Sequence, residues 1–225
     1  MCAQVVEDPR MRGRSFVFED RDDAGRALAD VLREHVDGDA IILAIPSGGV
    51  PVAAAIAREL GLTMDLIIVR KLQIPFNPEA GFGAVTMGGE MFLNRPLLAG
   101  LGLSADDIKE AKDKAMREGR SRQRSLLGDR EREPLKGRTV VLVDDGLASG
   151  YTMLAAIAEG RREDPRKIIV AVPTGAVATV RMVAEESDLL ICLNIRGGPF
   201  AVADAYRNWY DLTEDEAATV LRSVR

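Results

Sequence analysis

The sequence has 225 residues, enough for one large domain or two small ones and ample for a buried core without disulfide or metal staples. Apolar residues make up 47% and charged residues 29%, which excludes a largely disordered chain. The formal net charge of -5 excludes a surface coated for nucleic acid, so any anion site has to be a local feature.

Residues 1–15 read as a polar, irregular N-terminal extension, and Met11 is a candidate natural start. The N-terminus has no apolar stretch of signal-peptide length, and no segment is apolar enough to span a bilayer, so a cytosolic location without a membrane partner is expected. Residues 20–35 read as an amphipathic helix capped by Asp20, with Ala24, Leu28, Val31 and Leu32 on one face. An apolar run from Ala40 to Ile45 ends in Pro46-Ser47-Gly48-Gly49, and a helix pattern follows from Pro51 to Leu60. A second run, Leu66–Val69, ends in Arg70-Lys71. The stretch from Pro75 to Ala84 holds two prolines and two glycines and reads as a shaped loop. Residues 104–138 read as a long polar helix opened by Ser104 plus a charged connector, with eleven basic and eight acidic side chains. This is a solvated helix laced with ion pairs, or else an interface element that lends cations to an anionic ligand. Further apolar runs are Thr139–Val143, Ile168–Val172 and Leu189–Leu193. A last helix starts at Thr213, with Glu216 completing a capping box.

The runs lack alternation and are rich in Val and Ile, as strands buried on both faces are, and helices separate most of them. The fold class is therefore α/β, a parallel sheet flanked by helices, with ligands expected at the carboxyl ends of strands. Cys2 and Cys192 suit neither a disulfide framework nor a cysteine-rich zinc site. The single histidine, His35, leaves no second imidazole for a metal cluster or a Ser-His-Asp triad. No Gly-x-Gly-x-x-Gly follows the first strand, which argues against a dinucleotide-binding domain.

The segment Val140-Val-Leu-Val-Asp-Asp-Gly-Leu-Ala-Ser-Gly-Tyr-Thr-Met153 carries the most chemistry. Four apolar residues place a strand, Asp144 and Asp145 end it, and a small-residue loop opens a helix at about Thr152. Gly146 and Gly150 allow a tight turn and close approach of a ligand. The backbone N–H groups of Ala148, Ser149, Gly150, Tyr151 and Thr152 lie at a helix N-terminus, where a phosphate is favoured, and Ser149 and Thr152 add hydroxyls. The two carboxylates repel a phosphate but accept hydrogen bonds from vicinal sugar hydroxyls, so the pair and the loop suggest a ribose 5-phosphate held at both ends. The alternative is an acid pair that merely caps a helix.

This segment resembles the phosphoribosyl pyrophosphate (PRPP) signature of type I phosphoribosyltransferases. The likeness extends over about residues 16–212 and is nearest to a bacterial and archaeal branch of phosphoribosyltransferase-domain proteins that share the pattern Asp20-Arg-x-x-Ala-Gly-x-x-Leu-Ala29 and the segments Val69-Arg-Lys71 and Asn77-Pro-Glu79. The resemblance implies a domain over residues 16–212 with a helical insertion at 104–138, a hood at 194–212 and a C-terminal helix at 213–225. It also implies that Asp144 and Asp145 hold the ribose hydroxyls with magnesium nearby, that residues 148–152 with Gly146 cradle the 5-phosphate, and that Ser47, Gly48 and Gly49 bind pyrophosphate, often through a strained peptide bond in the family. Relatives often carry Arg at the position of Ser47, and Arg70 and Lys71 can restore that charge. The loop around Pro75–Ala84 resembles the segment that closes over the reacting centre, which makes its only carboxylate, Glu79, a candidate base. In the hood, Phe200 matches the position that stacks on an acceptor base and Ala201 the one that reads its edge. The strand Ile168–Pro173 lacks the lysine with which 6-oxopurine enzymes meet the ring oxygen. The implied activity is magnesium-dependent transfer of the phosphoribosyl group from PRPP to a nitrogenous base, with a homodimer as a family expectation; the alternative is a PRPP or nucleotide sensor without transfer.

Overall fold

In a computed structural model, residues 4–128, 132–199 and 201–224 are described, apart from the side chains of Pro78 and Glu79. Nine strands and seven α-helices run in the order β1 (Val5–Val6), α1 (Arg21–Leu32), β2 (Ile41–Ala44), α2 (Gly49–Leu60), β3 (Thr63–Leu66), β4 (Val69–Ile74), β5 (Asn77–Thr86), β6 (Met91–Leu93), α3 (Arg95–Leu101), α4 (Ala105–Leu127), β7 (Thr139–Val143), α5 (Tyr151–Arg161), β8 (Lys167–Ala176), α6 (Val177–Ala184), β9 (Leu189–Arg196) and α7 (Glu214–Arg222) among the described residues. A short 3-10 turn, Val202–Ala205, lies between β9 and α7.

Six strands form one sheet in the order β1-β9-β8-β7-β2-β3, and every neighbouring pair is parallel. One row of partners crosses it from Leu66 through Ala44, Val143, Ala171 and Ile191 to Val6. That row faces a core shared with α1, α2 and α7. The adjacent row, with Leu43, Leu142, Val170 and Leu190, faces a second core shared with α5 and α6. Burial on both faces is why these runs carry no polar alternation.

Helix boundaries follow local chemistry. The Asp20 carboxylate accepts from the Asp23 amide and opens α1. Ser104 with Asp107 and Thr213 with Glu216 close capping boxes on α4 and α7. Gly25 lets α1 cross α2 at close range, since a Cβ there would lie 2.5 Å from the Val52 carbonyl oxygen and 2.6 Å from the Ala55 Cβ.

Three expectations need correction. The run Leu66–Val69 is not one strand: β3 ends at Leu66, the chain breaks at Ile67 and Ile68, and β4 begins a separate antiparallel sheet, β4-β5-β6. The stretch Pro75–Ala84 is not a loop but the turn and second strand of that sheet. Its prolines sit at the hairpin end, and its glycines mark a pairing whose register shifts near Gln73. The N-terminal segment, expected to be an irregular extension, is mostly turns and bends where described but is docked on the sheet. Strand β1 pairs with β9, and the buried Asn194 amide donates to the Met11 and Arg14 carbonyls, tying residues 5–14 to the sheet. Cys192 lies buried in β9 and burial raises its thiol pKa, while Cys2 lies outside the described residues.

Replacing Gly25 with Val is expected to destabilise the fold by about 1–3 kcal/mol through overpacking between α1 and α2. Thermal unfolding checks this against Gly38→Ala, where a Cβ meets nothing within 4 Å and little change is expected.

Candidate functional site

From β2 the chain proceeds through α2 to β3 on one side, and from β7 through α5, β8 and α6 to β9 on the other. The carboxyl ends of β2 and β7 are thus a topological switch point, where open α/β sheets leave a crevice. A cleft of about 360 Å³ opens there, lined by Asp144 and Asp145, residues 146–150 and Thr152, with Lys71 and Gly81 from the small sheet and Val202 from the tail.

The acid pair is asymmetric. The Asp145 amide donates to the Asp144 carboxylate at 2.9 Å. Arg21, only 6% exposed, donates from Nε to Asp145 Oδ2 at 2.9 Å and from Nη1 to the Tyr210 carbonyl at 3.0 Å. Its guanidinium lies 3.9 Å from the Trp209 ring centroid, and the Tyr206 hydroxyl donates to the Asp145 carbonyl at 2.6 Å. Burial pushes the Asp144 carboxyl well above the usual carboxylate range, the Asp145 charge adds to that, and Arg21 opposes it. Burial also raises Asp145, against the pull of Arg21. Among the described residues, no group of three or more His, Cys, Asp or Glu is arranged to hold a metal ion. Two adjacent carboxylates, one paired with arginine, fit instead a hard cation coordinated mostly by a ligand's own oxygens.

Beyond the acids, the loop is fixed from behind. The Leu147 amide donates to the Thr174 carbonyl at 2.9 Å, and the Thr179 hydroxyl donates to the Ala148 carbonyl at 2.8 Å. Ala148 and Ser149 stay exposed, and α5 begins at Tyr151 after a left-handed Gly150. The first amides of α5 have no acceptor within the helix and open on the cleft, together with the helix dipole.

At the end of β2 the Pro46–Ser47 peptide is cis. Gly48 abuts Asp145 so closely that a Cβ would lie 2.0 Å from its Oδ2. The Gly49 amide already donates to the Ile45 carbonyl at 3.1 Å. Arg122 of α4 donates to the Pro46 carbonyl at 3.2 Å and to Glu214 of α7 at 2.6 Å, so the polar helix does bring a cation to this loop.

Arg70 and Lys71 separate, as adjacent strand residues do. Arg70 turns to α4 and pairs with Glu118 at 2.6 Å, while Lys71 lines the cleft beside Gly81. Neither is a strand end, because both lie inside β4. Glu79 falls in β5, with its side chain outside the described residues, and Phe200 is also outside them. The Ala201 amide and carbonyl both bond to Asp204, at 3.3 and 3.1 Å, so its edge-reading groups are engaged within the turn, and Val202 is the neighbour that reaches the cleft.

Residues 82–203 match the phosphoribosyl transferase domain family, a span of more than half the chain that includes the acid pair and the loop. The chain belongs to this family. Over 205 residues, 91% of this chain and 46% of the relative, the phosphoribosyl transferase domain is 38% identical to a Mycobacterium tuberculosis (strain H37Rv) protein named "Putative phosphoribosyl transferase Rv0571c". A protein of the same description from strain CDC 1551 matches equally. The chain spans about half the length of the curated relatives it matches. Among solved structures it is similar to TT1426 from Thermus thermophilus, with 32% identity and a TM-score of 0.73 over 92% of this chain and 98% of that one. At the level of fold alone it is similar to the AQ2163 protein from Aquifex aeolicus, with 12% identity and a TM-score of 0.50 over 79% of this chain and 75% of that one.

Sequence reasoning missed two arginines of this phosphoribosyl transferase domain, Arg21 and Arg122. Arg21 stands inside the Asp20–Ala29 pattern, but nothing in one sequence pairs residues 189 positions apart. For the cations of β4, Arg70→Ala is expected to lower stability by about 1 kcal/mol, through a partly exposed ion pair and the packing of its stem on α4. Denaturant unfolding of the variant checks this.

Proposed function

We propose that this domain transfers the 5-phosphoribosyl group of PRPP, in a magnesium-dependent reaction, to a nitrogenous base or related acceptor and releases pyrophosphate. The observation that carries the reading is the meeting of an acid pair and a helix N-terminus in one cleft at the switch point between β2 and β7. The amides at the start of α5, with the Ser149 and Thr152 hydroxyls, suit the 5-phosphate. The carboxylates suit the ribose hydroxyls. Gly48 lies against Asp145 and Lys71 lines the cleft, which supports Ser47, Gly48 and Lys71 as the groups that meet pyrophosphate, and Arg122 bonds the same loop. When bound, magnesium would supply charge neutralisation on pyrophosphate oxygens, and the Asp144–Asp145 pair would hold it, chiefly through Asp144 where Arg21 occupies Asp145.

In the reaction the anomeric carbon–oxygen bond to pyrophosphate breaks, a carbon–nitrogen bond to the acceptor forms, and the acceptor nitrogen gives up its proton. Glu79 is the proposed base and Phe200 the proposed stacking partner for the acceptor. The protein's part is positioning, charge complementarity and exclusion of water. The strand that would carry the 6-oxopurine lysine reads Ile168-Ile-Val-Ala-Val-Pro173, which favours acceptors other than hypoxanthine and guanine. A cytosolic location and a homodimer, without nucleic-acid or membrane partners, complete the proposal. No helix among the described residues is long and apolar enough to cross a membrane.

Calorimetric titration with PRPP and magnesium tests the reading. Wild type is expected to bind, the double variant Asp144→Asn/Asp145→Asn to lose binding, and Lys71→Ala to weaken it about 10-fold, as for loss of one charge-assisted contact. An acceptor panel read by pyrophosphate release then tests transfer. Absence of PRPP binding by folded wild type would reject the proposal, and binding without base-dependent pyrophosphate release would reject the transfer step.

A further inference from the structure

We propose that Arg21 is a positioning residue that gives the two acids unequal tasks: it holds Asp145 as a strut under the Gly48 loop and leaves Asp144 as the carboxylate that meets the ribose. The inference rests on the PRPP reading of the cleft and assigns roles within it.

Asp145 is held on three sides. Its carboxylate is engaged by Arg21 Nε at 2.9 Å, its carbonyl by the Tyr206 hydroxyl at 2.6 Å, and its Oδ2 lies against Gly48. A carboxylate so engaged cannot turn to grip two hydroxyls without breaking an ion pair that is nearly out of water. Asp144 accepts from the Asp145 amide, and among the described residues no arginine bonds its carboxylate. Arg21 is itself tightly seated, with its plane over Trp209 at 3.9 Å and Nη1 on the Tyr210 carbonyl. Both Arg21 and Trp209 lie outside residues 82–203, the span matched to the family. A clamp supplied by the two ends of the chain therefore aims a motif in its middle. The seat uses two separate N–H groups and a flat face, which arginine offers and lysine does not.

The logic of the pair makes a sharp expectation. Removing Arg21 alone leaves the Asp145 charge buried, uncompensated and beside the loop that would receive pyrophosphate, so anion binding suffers. Removing the Asp145 charge as well relieves the repulsion.

The test compares PRPP–magnesium affinity by calorimetry, well below the melting temperature of each variant, in wild type, Asp144→Asn, Asp145→Asn, Arg21→Met, Arg21→Lys and Arg21→Met/Asp145→Asn. Because the chain has one tryptophan, the emission of Trp209 reports whether Arg21 has kept its seat in each protein. We expect Asp144→Asn and Arg21→Met each to weaken PRPP by about 10-fold or more, and Asp145→Asn by several-fold less. The double variant should recover to the level of Asp145→Asn, whereas Arg21→Lys should rescue poorly. Trp209 emission should shift in Arg21→Met and stay near wild type in Asp145→Asn, where the Tyr210 carbonyl still holds the guanidinium. Equal losses from Asp144→Asn and Asp145→Asn would overturn the division of tasks, and a double variant as weak as Arg21→Met would overturn the action of Arg21 through Asp145. In both cases the PRPP assignment would stand; wild type that fails to bind PRPP would instead overturn that assignment and this inference with it.

Discussion

The ends of β2 and β7 stand side by side in a parallel sheet, with Ala44 opposite Val143, and the two chains then leave in opposite directions. The loop after each strand must fit a space that the other loop has begun to fill. Gly48 is compressed against the Asp145 carboxylate, and the Ile45 amide still donates to the Val143 carbonyl at 2.9 Å. The rest of the site is arranged around this contact. The loop after β7 has to rise away from it, which sends it toward Thr174 and Thr179 and sets the direction in which α5 starts. Parallel strands make such a place available, and the close contact of glycine with carboxylate makes it narrow.

Around that contact the molecule arranges charge with restraint. A chain with more acidic than basic side chains concentrates a few cations where an anion would otherwise be repelled. Arg21 comes from the first turn of α1, Arg122 from the long polar helix α4, and Lys71 from the small sheet. Each is carried by a different element, so the local field depends on how those elements pack. The close crossing of α1 and α2 at Gly25 belongs to the same arrangement, because it fixes the helix on which Arg21 stands. The long helix α4, with few apolar positions, is accounted for as well: it packs on the small sheet through Ala115 and reaches the β2 loop through Arg122.

The legible part of this protein was what local chemistry decides. Buried strands declare themselves as unbroken Val and Ile runs, capping boxes at Ser104 and Thr213 mark helix starts, and an acid pair before a small-residue loop announces a ligand site. The illegible part was decided by partners far away. Leu66 to Val69 looks like one strand because nothing local says that the sheet ends at Leu66. The hairpin of β4 and β5 was hidden by prolines and glycines, which at a hairpin end and in a pairing of shifting register do not break a strand. Asp144 and Asp145 looked equivalent because a sequence shows charge but not which carboxylate an arginine will occupy. The bond from the Gly49 amide to Ile45 was equally illegible, because it exists only once the turn has closed.

Segment 16–19 and segment 205–208 lie alongside each other, joined by bonds from Phe18 to Ala205, from Arg207 to Phe18 and from Asn208 to Glu19. This pairing brings the tail to Arg21, and it has an order in time. A chain made from its N-terminus exposes Arg21 early, forms β7 and the acid pair much later, and can seat the arginine only after Trp209 and Tyr210 have emerged. Until then Arg21 is a cation without its aromatic seat. A chain still in production therefore carries the signature of the site before it can carry its geometry.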